Sequence, residues 1–185
     1  MRKVIASVYT TLDGFIDDPH LWSLKYWTDE AAAYSHDQLF ASDALLMGRV
    51  TYEGFALAWP GRTGEFADRM NGMPKYVVSS TLDKADEWHN TSVIPGGEVV
   101  ETVAELRRRP GRQMLIYGCG RLTDTLMEHG LLDEYRIWVH PRILGGGRRL
   151  FREGTDARLR LLDTLRFGSG VVVLSYAPQD PSPTT

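Results

Sequence analysis

The 185-residue chain has one cysteine, no long apolar run and no surplus of positive charge. Each shortage removes a class of protein. A lone thiol, Cys119, can build neither a disulfide framework nor a thiolate zinc site, and it suits a reducing compartment. The longest apolar stretches, such as 171–174, are strand-sized, far below the roughly 20 residues of a membrane helix. The opening Met1-Arg2-Lys3 leads into an alternating segment rather than the apolar core of an export signal. Lys and Arg total 21 against 24 Asp and Glu, a formal net charge of −3, so no basic surplus is present to neutralise nucleic-acid phosphate. His20, His36, His89, His129 and His140 show no metal-ligand spacing, and no metal is assigned. Gly168-Ser169-Gly170 lacks the full Gly-x-Ser-x-Gly elbow of a hydrolase. The expectation is a cytoplasmic protein that binds neither membrane nor nucleic acid.

What is present is a globular composition. Hydrophobic residues make up 43% and charged residues 24%, enough apolar material to close a core and too much for a disordered chain. The length fits one domain, placed at 1–177, with a proline-rich polar tail over 178–185 that has little to bury and is expected to be flexible.

Strands are expected at 3–10, 44–47, 75–80, 92–94, 113–117, 134–140 and 171–176, with a weaker signal over 158–167. Thr28 caps a helix over 29–41 with Ala32, Leu39 and Phe40 on one face. A second helix starts near Thr51 and stops before Pro60. The stretch 61–74 reads as loop with a turn of helix around 66–70. A helix over 98–109 carries Val99, Val103 and Leu106 at helical spacing, and one over 121–129 has Gly130 as its stop. Strand and helix alternate, then strands predominate. That order implies an α/β fold: a mostly parallel central sheet flanked by helices, with antiparallel strands at the C-terminal end.

Ligands of such sheets bind beyond the carboxyl ends of the strands. Two glycine turns open helices there: Gly48-Arg49-Val50-Thr51-Tyr52 and Gly118-Cys119-Gly120-Arg121-Leu122. A helix start offers free N–H groups and a positive dipole end to phosphate, and two such starts can hold a dinucleotide; a plain strand-to-helix turn is the alternative for each. Arg49 is either a solvated first-turn residue or the partner of a bound anion, since a cation alone opposes the dipole. Ser79 and Ser80 end a strand, where their hydroxyls bind phosphate or cap local backbone. Asp29 and Glu30 either deliver a proton or touch substrate, or else serve their helix dipole. Asp13 is a proton donor or a turn residue. Trp22, Tyr26 and Trp27 either line a pocket for a planar ring or pack a long loop. Cys119, flanked by glycines, is a small residue that fits rather than a nucleophile.

Taken in order, Thr11-Leu12-Asp13-Gly14, Ser42 through Glu53, Val77-Val78-Ser79-Ser80, Tyr117 through Gly120, Asp133-Glu134, Pro141 through Gly147 and Leu150-Phe151 resemble the dihydrofolate reductase superfamily. The similarity is greatest to the C-terminal reductase domain of the riboflavin-biosynthesis deaminase/reductases and its stand-alone relatives, and it runs from about Arg2 to Tyr176. It implies a dihydrofolate reductase-like fold and an NADPH-dependent oxidoreductase, of the 5-amino-6-(5-phosphoribosylamino)uracil reductase type. That activity transfers a hydride to a C=N or C=O of a small heterocyclic or sugar-derived substrate. The alternatives are a dihydrofolate or pteridine reductase, and a non-catalytic nucleotide-binding protein. By the same resemblance Gly48, Arg49, Thr51 and Tyr52 receive NADPH phosphate, with Arg49, Ser79 and Ser80 facing the 2′-phosphate. Gly118, Gly120, Arg121 and Leu122 lie along the pyrophosphate, and Ala6 and Ile16 lie near the nicotinamide. Gly145 to Gly147 are structural turns, and a homodimer is implied.

The chain also departs from that pattern. Thr11 replaces the usual serine. Phe40 stands where the riboflavin enzymes carry an arginine, and Glu53 through Pro60 replaces their aspartate-and-proline segment. Those positions handle the ribose phosphate in the family, so the departures point to a different substrate. The His-x-Glu and Pro-Cys-x-x-Cys signature of the fused deaminase does not occur.

Overall fold

The computed structural model describes residues 1–179. Among the described residues eight strands and six helices follow one another as β1 (Val4–Thr11), α1 (Pro19–Trp22), α2 (Asp29–Phe40), β2 (Ser42–Gly48), α3 (Arg49–Ala58), α4 (Glu65–Gly72), β3 (Lys75–Ser79), β4 (Thr91–Pro95), α5 (Val99–Arg108), β5 (Gln113–Tyr117), α6 (Arg121–Glu128), β6 (Glu134–His140), β7 (Leu159–Arg166) and β8 (Val172–Pro178). Short 3-10 turns cover Leu24–Tyr26 and Gly96–Glu98. The chain forms two compact units, one of Met1–Val4 with Ser35–Tyr117, the other of Ile5–Tyr34 with Gly118 onward.

In the first unit the strands run in the order β4-β3-β2-β5, all parallel. Parallel neighbours need helical crossovers, and α3, α4 and α5 are of this kind. The α5 face is the expected one: Val99, Val103 and Leu106 are its buried residues. Helix α4 is a full two turns where only one was expected; Gly64, at φ +106, starts it, and Met73, extended before Pro74, stops it. Lys75, fully buried at the head of β3, donates to the carbonyls of Asn71 and Met73 at 2.8 Å and of Met70 at 3.3 Å. It thereby caps the α4 C-terminus, where carbonyls lack intrahelical partners.

Buried Arg2 forms an ion pair with Asp43, whose other oxygen accepts the Arg112 N–H at 2.6 Å. This pair crowds the chain at Gly111, where a Cβ would stand 2.5 Å from the Asp43 carboxylate. Helix α2 keeps its expected span but buries a different face, Ala31, Ser35, Gln38 and Leu39; Ala32 and Phe40 are only partly covered.

In the second unit the order is β1-β6-β8-β7, parallel between β1 and β6 and antiparallel thereafter. Trp138, Phe167, Val171, Val173 and Ala31 form a core, with Tyr9, Tyr26 and Tyr34 packed against it. Strand β8 extends through Pro178, and the Gln179 N–H donates to Arg158 at 2.9 Å, so pairing continues past the expected boundary at 177. The remainder of the expected tail, 180–185, lies outside the described residues. The mostly parallel α/β order with antiparallel C-terminal strands agrees with the sequence reading.

Candidate functional site

In the first unit, Gly48 is extended backbone that turns at once into α3. The helix therefore begins at Arg49, two residues before the expected Thr51. Arg49 is half-exposed, with Nη1 3.7 Å from Glu53 Oε1 one turn along. That carboxylate offsets the unfavourable placement of a cation at a helix start. Thr51 is partly covered, whereas Tyr52 is buried and faces the core. Burial pushes the Tyr52 phenol above its ordinary range. Its side chain is therefore a packing group.

The Ser79 hydroxyl accepts the N–H groups of Thr81 at 3.1 Å and Leu82 at 3.0 Å. It caps local backbone, the second of its two expected roles. Ser80 is exposed, and its hydroxyl fills the place a Cβ on Gly96 would take.

The second unit resumes at the Gly118-Cys119-Gly120 turn. Gly118 at φ +91 and Gly120 at φ +155 adopt backbone that side chains resist, and the space where each Cβ would stand is open. The Gly118 N–H donates to Ser7 at 2.7 Å, and Gly120 and Thr123 exchange two bonds of 2.9 Å that close the start of α6. Arg121 is exposed and Leu122 partly covered. The Cys119 thiol donates to the Leu150 carbonyl at 3.0 Å, and burial pushes its pKa up to about 12. It stays a thiol, consistent with a small residue that fits.

The loops after β1 and β6 are strapped together. Thr11 Oγ1 donates to Asp13 at 2.6 Å, and Asp13 also accepts the N–H groups of Leu144 at 3.1 Å and Gly145 at 2.8 Å. These bonds, the Thr11 hydroxyl foremost, hold the Asp13 carboxyl down at about 2. An acid so ionised cannot give up a proton near neutrality, which corrects the expectation of Asp13 as a donor. Glu30 is likewise engaged, accepting the Gly168 N–H at 2.6 Å from the turn between β7 and β8. Asp29 is exposed in the first turn of α2, and no hydrogen bond or ion pair engages its carboxylate among the described residues.

One face of β1 and β6 is aromatic. Tyr9 lies opposite Trp138 in register, their rings 5.1 Å apart. His140 closes β6 beside Thr11. Its Nδ1 faces the carbonyls of Trp138 at 3.0 Å and Thr10 at 3.3 Å, which places the ring proton there. Burial lowers its pKa, so the imidazole is neutral near pH 7. Trp22 stands edge-on to His140 at 5.0 Å and donates its Nε1–H to Asp17 at 2.8 Å. It is buried packing, the second of its expected roles. Trp27 is 44% exposed and parallel to Trp138 at 6.4 Å, leaving part of one indole open to a planar ligand. Ala6 and Ile16 are buried.

The sequence reading did not single out Asp17, Arg148 or the packing role of His140. Only the glycine run 145–147 hinted at the strap. Among the described residues no helix is long and apolar enough to cross a membrane, and no cluster of His, Cys, Asp and Glu could hold a metal.

The chain belongs to the RibD C-terminal domain family, whose sequence model matches residues 2–173. The Bacillus subtilis (strain 168) protein YyaP is 29% identical over 184 residues, covering 95% of this chain and 94% of its own. Two solved structures share the fold. The Thermotoga maritima diaminohydroxyphosphoribosylaminopyrimidine deaminase/5-amino-6-(5-phosphoribosylamino)uracil reductase matches with a TM-score of 0.66 at 17% identity, over 96% of this chain and 57% of that one. Enterococcus faecalis dihydrofolate reductase, complexed with NADP(H), matches with a TM-score of 0.61 at 14% identity, over 96% and 97%. These neighbours show a dihydrofolate reductase-like fold.

Proposed function

We propose that this protein is a cytoplasmic NADPH-dependent reductase, related to the 5-amino-6-(5-phosphoribosylamino)uracil reductases but acting on a different planar heterocycle. The observation that carries the reading is the Gly118–Gly120 turn. Two glycines with positive φ leave room at the start of α6 that any side chain would fill. Backbone brought that close to a helix N-terminus fits a pyrophosphate. Arg49 at the start of α3, with exposed Ser80, fits the 2′-phosphate that separates NADPH from NADH.

When bound, the dihydronicotinamide supplies the hydride. The chain's own residues orient and protonate. By the resemblance Ala6 and Ile16 lie near the nicotinamide end, and Trp27 offers a ring face to the substrate. Asp29 is the carboxylate of the three candidates left to deliver a proton, directly or through water. Phe40 in place of the family's arginine fits a substrate without a ribose phosphate.

A homodimer accompanies this reading. Strand β7 is an edge strand with Leu161, Leu162 and Leu165 exposed, and an apolar edge of this kind favours pairing with a second copy. A second functional reading, nucleotide binding without turnover, is favoured by the engagement of Asp13 and Glu30. The deciding assay follows NADPH oxidation with dihydrofolate, 5-amino-6-(5-phosphoribosylamino)uracil and related pyrimidines and pteridines. Turnover with any of them supports a reductase, and tight NADPH binding without oxidation supports the second reading.

A further inference from the structure

The segment after β6 is tied along its length to the loop after β1. The Leu12 N–H donates to Arg142 at 2.8 Å, Ile16 to Arg148 at 3.0 Å and Leu150 to Gly14 at 2.9 Å, and Phe15 and Arg149 form an antiparallel bridge. Two carboxylates close the ends of the glycine turn within this segment. Asp13 takes the N–H groups of Leu144 and Gly145. Asp17 takes the Arg148 N–H and faces the Arg148 guanidinium at 3.5 Å. Gly147, at φ +126, has no room for a Cβ because the Asp17 carboxylate occupies that place.

The same segment reaches the glycine turn of α6, since Leu150 accepts the Cys119 thiol. One strap therefore connects the open Gly118–Gly120 backbone with the Phe15–Ile16 backbone. Asp17 is the residue on which its far end turns: its carboxylate holds Arg148 while its carbonyl holds the indole of buried Trp22. The Ile16 N–H is consumed by Arg148, and its carbonyl oxygen accepts no bond among the described residues.

We infer that Asp17 is a positioning residue. By fixing Arg148 and Trp22 it sets Ile16 at the nicotinamide end, at a fixed reach from the glycine turn of α6. This rests on the NADPH reading proposed above. A segment ordered in advance costs the ligand less to engage than one it must order itself. Loosening the strap therefore weakens contacts made to the nicotinamide half and spares those made to the adenosine half.

The test compares two ligands on three proteins. NADPH and adenosine 2′,5′-bisphosphate, which lacks the nicotinamide, are titrated into the wild-type chain, Asp17→Asn and Gly147→Ala. The second variant disturbs the same clasp from the opposite side. Circular dichroism establishes that each variant is folded. The expected result is an NADPH affinity about tenfold weaker in both variants, with adenosine 2′,5′-bisphosphate unchanged. Enhancement of bound dihydronicotinamide fluorescence should fall in parallel. Equal weakening of both ligands, or no change in either, overturns the inference while leaving the NADPH reading intact. Loss of the fold in both variants also overturns it, because the strap would then serve the fold and not the site. A wild-type chain that binds neither ligand overturns the NADPH reading, and the inference with it.

Discussion

Asp17 and Arg148 are joined twice, through the Arg148 backbone N–H and through its guanidinium. Asp13 makes a comparable set of bonds at the other end of the same turn, to Leu144 and Gly145. The glycine run that follows Leu144 is therefore an anchored turn between two carboxylates.

The Asp13 anchor has a pH signature. Its folded-state pKa, about 2, lies below the ordinary 3.8, so the folded chain favours the ionised form. The stabilisation is present in full above the unfolded value and is lost as pH falls toward 2. Thermal midpoints of the wild type should drop across this acid range more steeply than those of Asp13→Asn. Parallel curves would contradict the anchor.

Lys75 gives a dependence of the same sign at the alkaline end of the range. Burial lowers its pKa from 10.5 to about 8. Between those values the unfolded chain binds more protons, so this group makes stability rise with pH over that window. Lys75→Met should lack that rise. Near neutrality it should also lose about 1–3 kcal/mol, because the α4 carbonyls keep no donor. Urea melts at several pH values measure both effects.

Gly118→Ala should cost about 1–2 kcal/mol, the strain of a side chain at φ +91. Its Cβ would enter space that is open in the native turn. NADPH affinity should fall further than stability alone requires. A variant that is destabilised yet binds NADPH normally would remove the turn from the site.

The β7 edge predicts the assembly. Leu161 is 51% exposed on a strand paired only on one side. Sedimentation velocity should find a dimer for the wild type and a monomer for Leu161→Asp. A wild-type monomer would contradict the paired edge.

Much of the fold could be read from local pattern. The α5 stripe Val99, Val103, Leu106 and the β-rich runs 113–117 and 134–140 each carry a single clear period, and each element forms where that period places it. Helix α4 was underestimated because Arg69, Asn71 and Gly72 dilute its apolar positions, and its stability comes from buried Ala67 and Met70 and the Lys75 cap. The α2 face was misread because two of its buried residues, Ser35 and Gln38, are polar. The Gly118–Gly120 turn was legible because positive φ demands glycine. The fates of Asp13 and Glu30 were not, because each is decided by which backbone N–H comes within reach, and sequence spacing does not encode partners more than 130 residues away.

The central claim is that this protein binds NADPH, with Arg49 serving the 2′-phosphate. Quenching of tryptophan emission, with five tryptophans in the chain, reports binding directly. The wild type should bind NADPH at micromolar concentration and NADH at least tenfold more weakly, a gap of about 1.4 kcal/mol. Arg49→Ala should close that gap by weakening NADPH alone. Binding of neither nucleotide, or equal binding of both that Arg49→Ala leaves unchanged, would contradict the account.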